Sequence, residues 1–148
     1  MTAPNVPSSR FPAGLQFFSA YDPSVALPGN ATVYTCRICV PFEHYLRQAV
    51  ISHTDADNVG AVTGALMVVA PAGAKAGAAV GTTLTDTDFA ATSEVHTAHN
   101  IVLAAADTGA VRAANTEYHV RLVGTNAGDL IEQPTLTIGV EPTSRSRL

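Results

Sequence analysis

Tryptophan is absent from this 148-residue chain, lysine occurs once, at position 75, and cysteine occurs only at 36 and 39. Charged residues amount to 14%, well below the roughly one quarter usual in globular domains. Eight basic against twelve acidic residues leave a net charge of −4. The arginines are scattered apart from Arg145 and Arg147, so there is no basic stripe of the kind that binds nucleic acid by displacing counterions. The most apolar stretch, Val62 to Val80, is broken by Pro71, Lys75 and glycines, which argues against a helical membrane span. The opening MTAPNVPSSRFPAG has no apolar centre of the kind a secretory signal needs. The expectation is a protein with no membrane and no nucleic acid among its partners.

Catalytic signatures are missing as well. There is no GxSxG elbow, no HExxH pair and no glycine-rich loop ending in Lys-Ser/Thr. The sequence therefore predicts neither an enzyme nor a cofactor or metal site.

What the chain does have is alanine, valine and threonine, 25, 16 and 17 residues respectively. Branched side chains suit the pleated surface of a sheet. Residues 1–14 carry three prolines and read as an extended arm. Strands are then expected at 15–21, 31–40, 61–69, 80–85, 94–103, 117–123 and 134–140, with turns at Asp22-Pro23, Pro28-Gly29-Asn30 and 54–58. Residues 42–53, FEHYLRQAVISH, fit a helical face and a strand equally well; their strand neighbours favour strand. Short strands at regular spacing without a long helix predict an all-β fold, an antiparallel β-sandwich or jelly roll, over residues 15–140. Residues 141–148 read as a polar tail.

Four groupings invite a chemical reading. Cys36-x-x-Cys39 has the spacing of redox and zinc motifs, but it sits within a strand pattern, where residues three apart point to opposite faces. The same alternation places Val33, Thr35, Arg37 and Cys39 on one face and Tyr34, Cys36, Ile38 and Val40 on the other. His96-x-x-His99 lacks the spacing of a strand metal pair. Glu94 and His96 echo Glu117 and His119 twenty-three residues on, and would form a metal set only if their strands were neighbours in register; otherwise they are ordinary polar edges. Asp55-Ala-Asp57-Asn58-Val59-Gly60 imitates a calcium loop, yet position five is Val59 and position twelve Leu66, so an Asx-rich turn is the plainer reading.

From Val40-Pro41-Phe42 onward the order of segments resembles the small β-sandwich capsid decoration (cement) proteins of tailed bacteriophages. The segments are the ADN turn at 56–58, ALMVVA, Asp88-Phe89-Ala90, SEVHTAHNIVL, YHVRLVGTNAG and TLTIGVEP. The resemblance implies a homo-oligomer, with a trimer favoured, seated on the outer capsid surface of a virion and made in the host cytoplasm. Its partners would be the major capsid protein and its own copies. It also implies that the arm reaches neighbouring subunits, with Arg10, Phe11, Phe17 and Phe18 as anchors. The alternative is a receptor- or carbohydrate-binding sandwich of a tail or head fibre, against which the scarcity of aromatic platforms counts.

Overall fold

Alternation of apolar and polar side chains sorts the chain into twelve strands among the residues described by the computed structural model, which are 14–27, 31–57, 61–89, 96–126 and 128–143. Eight of the strands build two sheets. They are β1 (Gln16–Tyr21), β3 (Ala31–Val40), β4 (His44–His53), β6 (Val62–Val69), β7 (Ala78–Leu84), β8 (Thr97–Ile101), β10 (Thr116–Gly124) and β12 (Thr135–Pro142). The first of these pairs with the last, the second with the seventh, the third with the sixth and the fourth with the fifth, all antiparallel. The resulting sheets run β1-β12-β4-β8 and β3-β10-β6-β7. Such an order is a long hairpin of four strand pairs rolled up so that alternate pairs fall in opposite sheets, which is a jelly roll.

The shorter strands complete this frame. A third sheet joins β2 (Ser24–Leu27), β11 (Asp129–Glu132) and β5 (Asp55–Asp57) in the order β2-β11-β5. Its Val25, Leu27 and Ile131 are part of the common core. Helix α1 (Ala105–Gly109) and the two-residue β9 (Val111–Arg112) lie between β8 and β10, and β9 adds to β4. Asp55–Asp57, expected as part of a turn, is thus a strand, while the rest of the calcium-loop candidate, 58–60, lies outside the described residues.

The ambiguous segment 42–53 is strand from His44 onward. It pairs on both sides, with β12 and with β8. Register slips at Gly139/Val140, so that Gly139 opposes Gln48 while Val140 opposes Leu46, leaving Arg47 as an extra residue. The bulge puts Leu46 and Ala49, three apart, on the same inward face, and both are buried. That spacing is also helical, which is why the sequence alone fits both forms.

Facing rows of Leu46, Ile51, Ile138 and Leu136 from one sheet and Ile38, Val120, Leu122 and Leu66 from the other fill the core. Deleting one such buried side chain costs about 2–5 kcal/mol. A polar link between two fully buried side chains crosses this layer. His44 Nδ1 lies 2.7 Å from the Phe42 carbonyl, so that nitrogen carries the proton. Nε2 is then an acceptor, and the Tyr118 hydroxyl donates to it at 2.7 Å. Both side chains are fully buried, and burial holds the His44 pKa below its usual value and pushes that of Tyr118 up.

Two outcomes follow from this link. Tyr118→Phe leaves His44 Nε2 without its donor and should lower unfolding stability by about 1–3 kcal/mol, read from urea melts. Because the folded His44 pKa lies below the unfolded value near 6.5, its share of stability is full above that pH and is lost as the pH falls beneath it. The urea midpoint should accordingly drop between pH 7.5 and 5.5, and His44→Gln should shrink that drop; an unchanged pH difference in the variant refutes the assignment.

Candidate functional site

Tyr118 is drawn inward by His44, and strand alternation then sends its neighbours Glu117 and His119 to the outer face of β10. Opposite them, β3 carries a second bulge. Tyr118 pairs with Ile38 but Val120 with Thr35, so Cys36 and Arg37 together oppose His119. Cys36 takes up the extra residue with φ +58°, a left-handed conformation costing about 1–2 kcal/mol for a side-chain-bearing residue. The surroundings hold it there. Asp22 Oδ2 accepts from the Thr35 hydroxyl and from the Cys36 N–H, the latter at 3.2 Å, while the Cys36 thiol donates to the Pro134 carbonyl at 3.1 Å.

The bulge inverts the face assignment expected for half of this strand. Val33 and Thr35 turn inward with Ile38 and Val40, and Tyr34 lines the outer side with Arg37. The two cysteines do part, as strand geometry requires: Cys36 is buried and Cys39 exposed. Burial pushes the Cys36 thiol pKa up, the opposite of what a redox centre needs.

Over this bulge lies a furrow of three adjoining hollows that all include Arg37. One, of about 290 Å³, is walled by Tyr34, Lys75, Glu117 and His119; a second of the same size runs toward Pro71 and Asn115. The third, of about 360 Å³, reaches Tyr21 and Asp22. Arg37 Nε and Nη2 both donate to Glu117 Oε1, at 3.2 and 2.6 Å. Glu117 Oε2 lies 3.4 Å from His119 Nδ1, and the His119 ring stands edge-on to Tyr34 with centroids 5.0 Å apart. His119 is buried, its pKa is lowered by desolvation, and its Nε2 has no hydrogen-bond partner among the described residues.

The outer face of the other sheet differs in kind. It presents Phe17, Ser19 and Tyr21 from β1, beside Gly139, Thr137 and Thr135 of β12. Gln48, Val50 and Ser52 of β4 and Asn100 and Ala98 of β8 continue the same rows. These rows carry no charge, but beside them on the same face Arg47 Nε donates to Glu141 Oε2 at 2.7 Å. Phe17 is 58% exposed and Tyr21 69%. A Cβ on Gly139 would lie 3.0 Å from Phe17 Cε1, so the glycine makes room for the ring.

Of the residues singled out in the sequence, Phe17 faces outward, whereas Phe18 packs against the core with its ring 6.1 Å from that of Phe42. Arg10, Phe11 and Glu94 lie outside the described residues. His96 is exposed ahead of β8, in the sheet opposite to β10, so it does not meet Glu117 and His119. His99 faces inward instead, with its Nε2 3.4 Å from His53 Nε2. The furrow residues Tyr34, Arg37 and Lys75 were not picked out as a group, because a loop and a bulge bring them together.

No family model and no curated protein matches the chain. Among solved structures it is similar to that of the infectious bursal disease virus Gx strain, with 12% identity and a TM-score of 0.48, over 89% of this chain and 34% of that one. It is likewise similar to the infectious bursal disease virus VP2 subviral particle, with 12% identity and a TM-score of 0.47, over 86% and 33%. The chain thus spans about a third of the length of those chains. At such scores the jelly-roll assignment stands on the strand order itself.

The bulge makes a direct forecast about the thiols. In the folded protein a maleimide should label Cys39 within minutes and leave Cys36 unlabelled until denaturant is added. Equal labelling of both in native buffer contradicts the buried position of Cys36.

Proposed function

We propose that this chain is a structural virion protein that binds the outer surface of a phage capsid and bridges neighbouring capsid subunits. The observation that carries this reading is an uncharged patch on the outer face of the β1-β12-β4-β8 sheet, flanked by the ion pair Arg47–Glu141, with Phe17 and Tyr21 standing out from it. An uncharged patch docks without the desolvation cost that buried ions exact. Aromatic anchors at its rim supply a disproportionate share of interface energy. The role is mechanical and needs no chemistry: a protein that binds only the assembled shell stabilises that shell by mass action.

In this reading residues 1–14 extend the contact onto an adjacent subunit, with Arg10, Phe11 and Phe17 as anchors and Phe18 fixing the root of the arm in the core. The protein acts as a homo-oligomer, a trimer, on the virion exterior after synthesis in the host cytoplasm. A second reading, a carbohydrate-recognising module, is favoured by one observation, the furrow that links Tyr21, Tyr34, Arg37 and Lys75.

The test is co-sedimentation with capsids stripped of this protein. Phe17→Asp should weaken attachment at least tenfold, on the order of the 2 kcal/mol of an interface hot spot, and leave thermal stability intact. Deletion of residues 1–14 should weaken it while the sandwich stays folded. Saturation of capsids by both variants at wild-type affinity refutes the proposal.

A further inference from the structure

The furrow over the Cys36 bulge has the composition of a ligand site, and the assembly role does not use it. We propose that it binds an acidic oligosaccharide, seating the carboxylate of a uronic acid unit between Lys75 and Arg37 and accepting a hydroxyl of the same unit on His119 Nε2.

Four observations carry this. First, charge: Arg37 and Glu117 neutralise each other through two hydrogen bonds, which leaves the ammonium of Lys75, the chain's single lysine, as the uncompensated charge of the hollow. One surplus positive charge matches a carboxylate monoanion; a phosphate dianion would leave excess negative charge beside Glu117. Second, hydrogen bonding: the Glu117 carboxylate, 3.4 Å from His119 Nδ1, favours the proton on that nitrogen. Nε2 is then a lone-pair acceptor, buried and without a partner among the described residues, and it calls for an O–H donor rather than a second anion. A carboxylate and a hydroxyl on one small ring satisfy both ends.

Third, shape: hollows of about 290, 290 and 360 Å³ adjoin through Arg37, each of the scale that holds one monosaccharide, and together they suit an extended chain of sugar units. Fourth, walls: Tyr34 and the 69%-exposed Tyr21 offer ring faces to the C–H surfaces of a sugar, which partly answers the shortage of tryptophan. A metal is disfavoured by the same geometry, since the cationic Arg37 and Lys75 line the hollow beside the imidazole.

Lys75, Arg37 and His119 lie over the sheet opposite the Phe17 patch, with Tyr21 shared between the two, and the site is tested without capsids, so its failure and that of the assembly reading are distinguishable. Amide NMR titrations of the full chain would use sodium D-glucuronate, a short oligogalacturonate, D-glucose, acetate and glycolate. Shifts should centre on Tyr34, Arg37, Lys75 and His119, with a dissociation constant of about 1 mM for glucuronate and tighter binding for the oligomer. Glucose and acetate each lack one half of the recognition and should bind about tenfold more weakly.

Lys75→Ala, in an exposed loop, should weaken glucuronate binding about tenfold with an unchanged thermal midpoint. His119→Phe should bring glucuronate down to the level of acetate; if that variant does not fold, Lys75→Ala and the ligand comparison still decide. The proposal is overturned if glucuronate shifts no resonance in the furrow or if glucose or acetate matches it. Glycolate binding as tightly as the oligomer overturns the glycan assignment in favour of a small hydroxy acid.

Discussion

The hydrogen bond from Tyr118 to His44 is the constraint on which both the core and the outer surface depend. It is a directional contact between two fully buried side chains in a core that is mostly apolar. Apolar packing tolerates sliding, because dispersion and burial depend weakly on which methyl meets which. A buried hydroxyl and imidazole do not tolerate it, since each is costly when unpaired. The link therefore fixes where β10 stands against β4. Because strand residues alternate, an inward Tyr118 obliges Glu117 and His119 to face out. The placement of the furrow is thus decided in the core.

Much of this was legible in the sequence, and within the long strands the obscured points share one cause. The expected strands at 31–40, 61–69, 117–123 and 134–140 coincide closely with β3, β6, β10 and β12, because Val, Ile and Leu there alternate with polar residues. Two bulges disturb the pattern: one left 42–53 open between helix and strand, the form it has, and the other inverted an expected face. At Arg47 the inward pair Leu46 and Ala49 falls three apart, which imitates a helix; at Cys36 the inward pair Thr35 and Ile38 falls three apart, which inverted the expected face of Val33 and Tyr34. A bulge changes the count by one residue and leaves no compositional mark, since Arg and Cys carry no turn signal. The short strands β2, β5 and β11 escaped for a different reason. Three or four residues are too few for a period, and Asp-Ala-Asp carries turn composition.

The furrow was hidden for the same reasons. His119 and Glu117 were visible as an outward pair, but as partners of His96 on a neighbouring strand. The sheet order separates them: β8 belongs with β4, and β10 lies between β3 and β6. Their actual neighbours arrive from the bulge, which turns Tyr34 outward beside Arg37, and from the small-residue loop between β6 and β7, which carries Lys75. That loop, APAGAKAG, has no large side chain of its own, so it can lie low over the sheet and let one long lysine stem reach the hollow.

Scarcity of charge gives the two outer faces different physics. On the β1-β12-β4-β8 face the rows around Phe17, Thr137 and Val50 are uncharged and the neighbouring Arg47 and Glu141 neutralise each other, so an interaction there draws mainly on buried area and depends weakly on salt. In the furrow the pairing of Arg37 with Glu117 cancels most of the local field, and attraction for an anion rests on Lys75. A single exposed ammonium acts over about 8 Å at physiological ionic strength, so binding in the furrow must weaken as salt rises while docking through the uncharged patch changes far less. Ionic strength therefore separates the two roles in one preparation of the protein. A strongly salt-sensitive attachment to capsids would move that contact from the uncharged patch to the furrow.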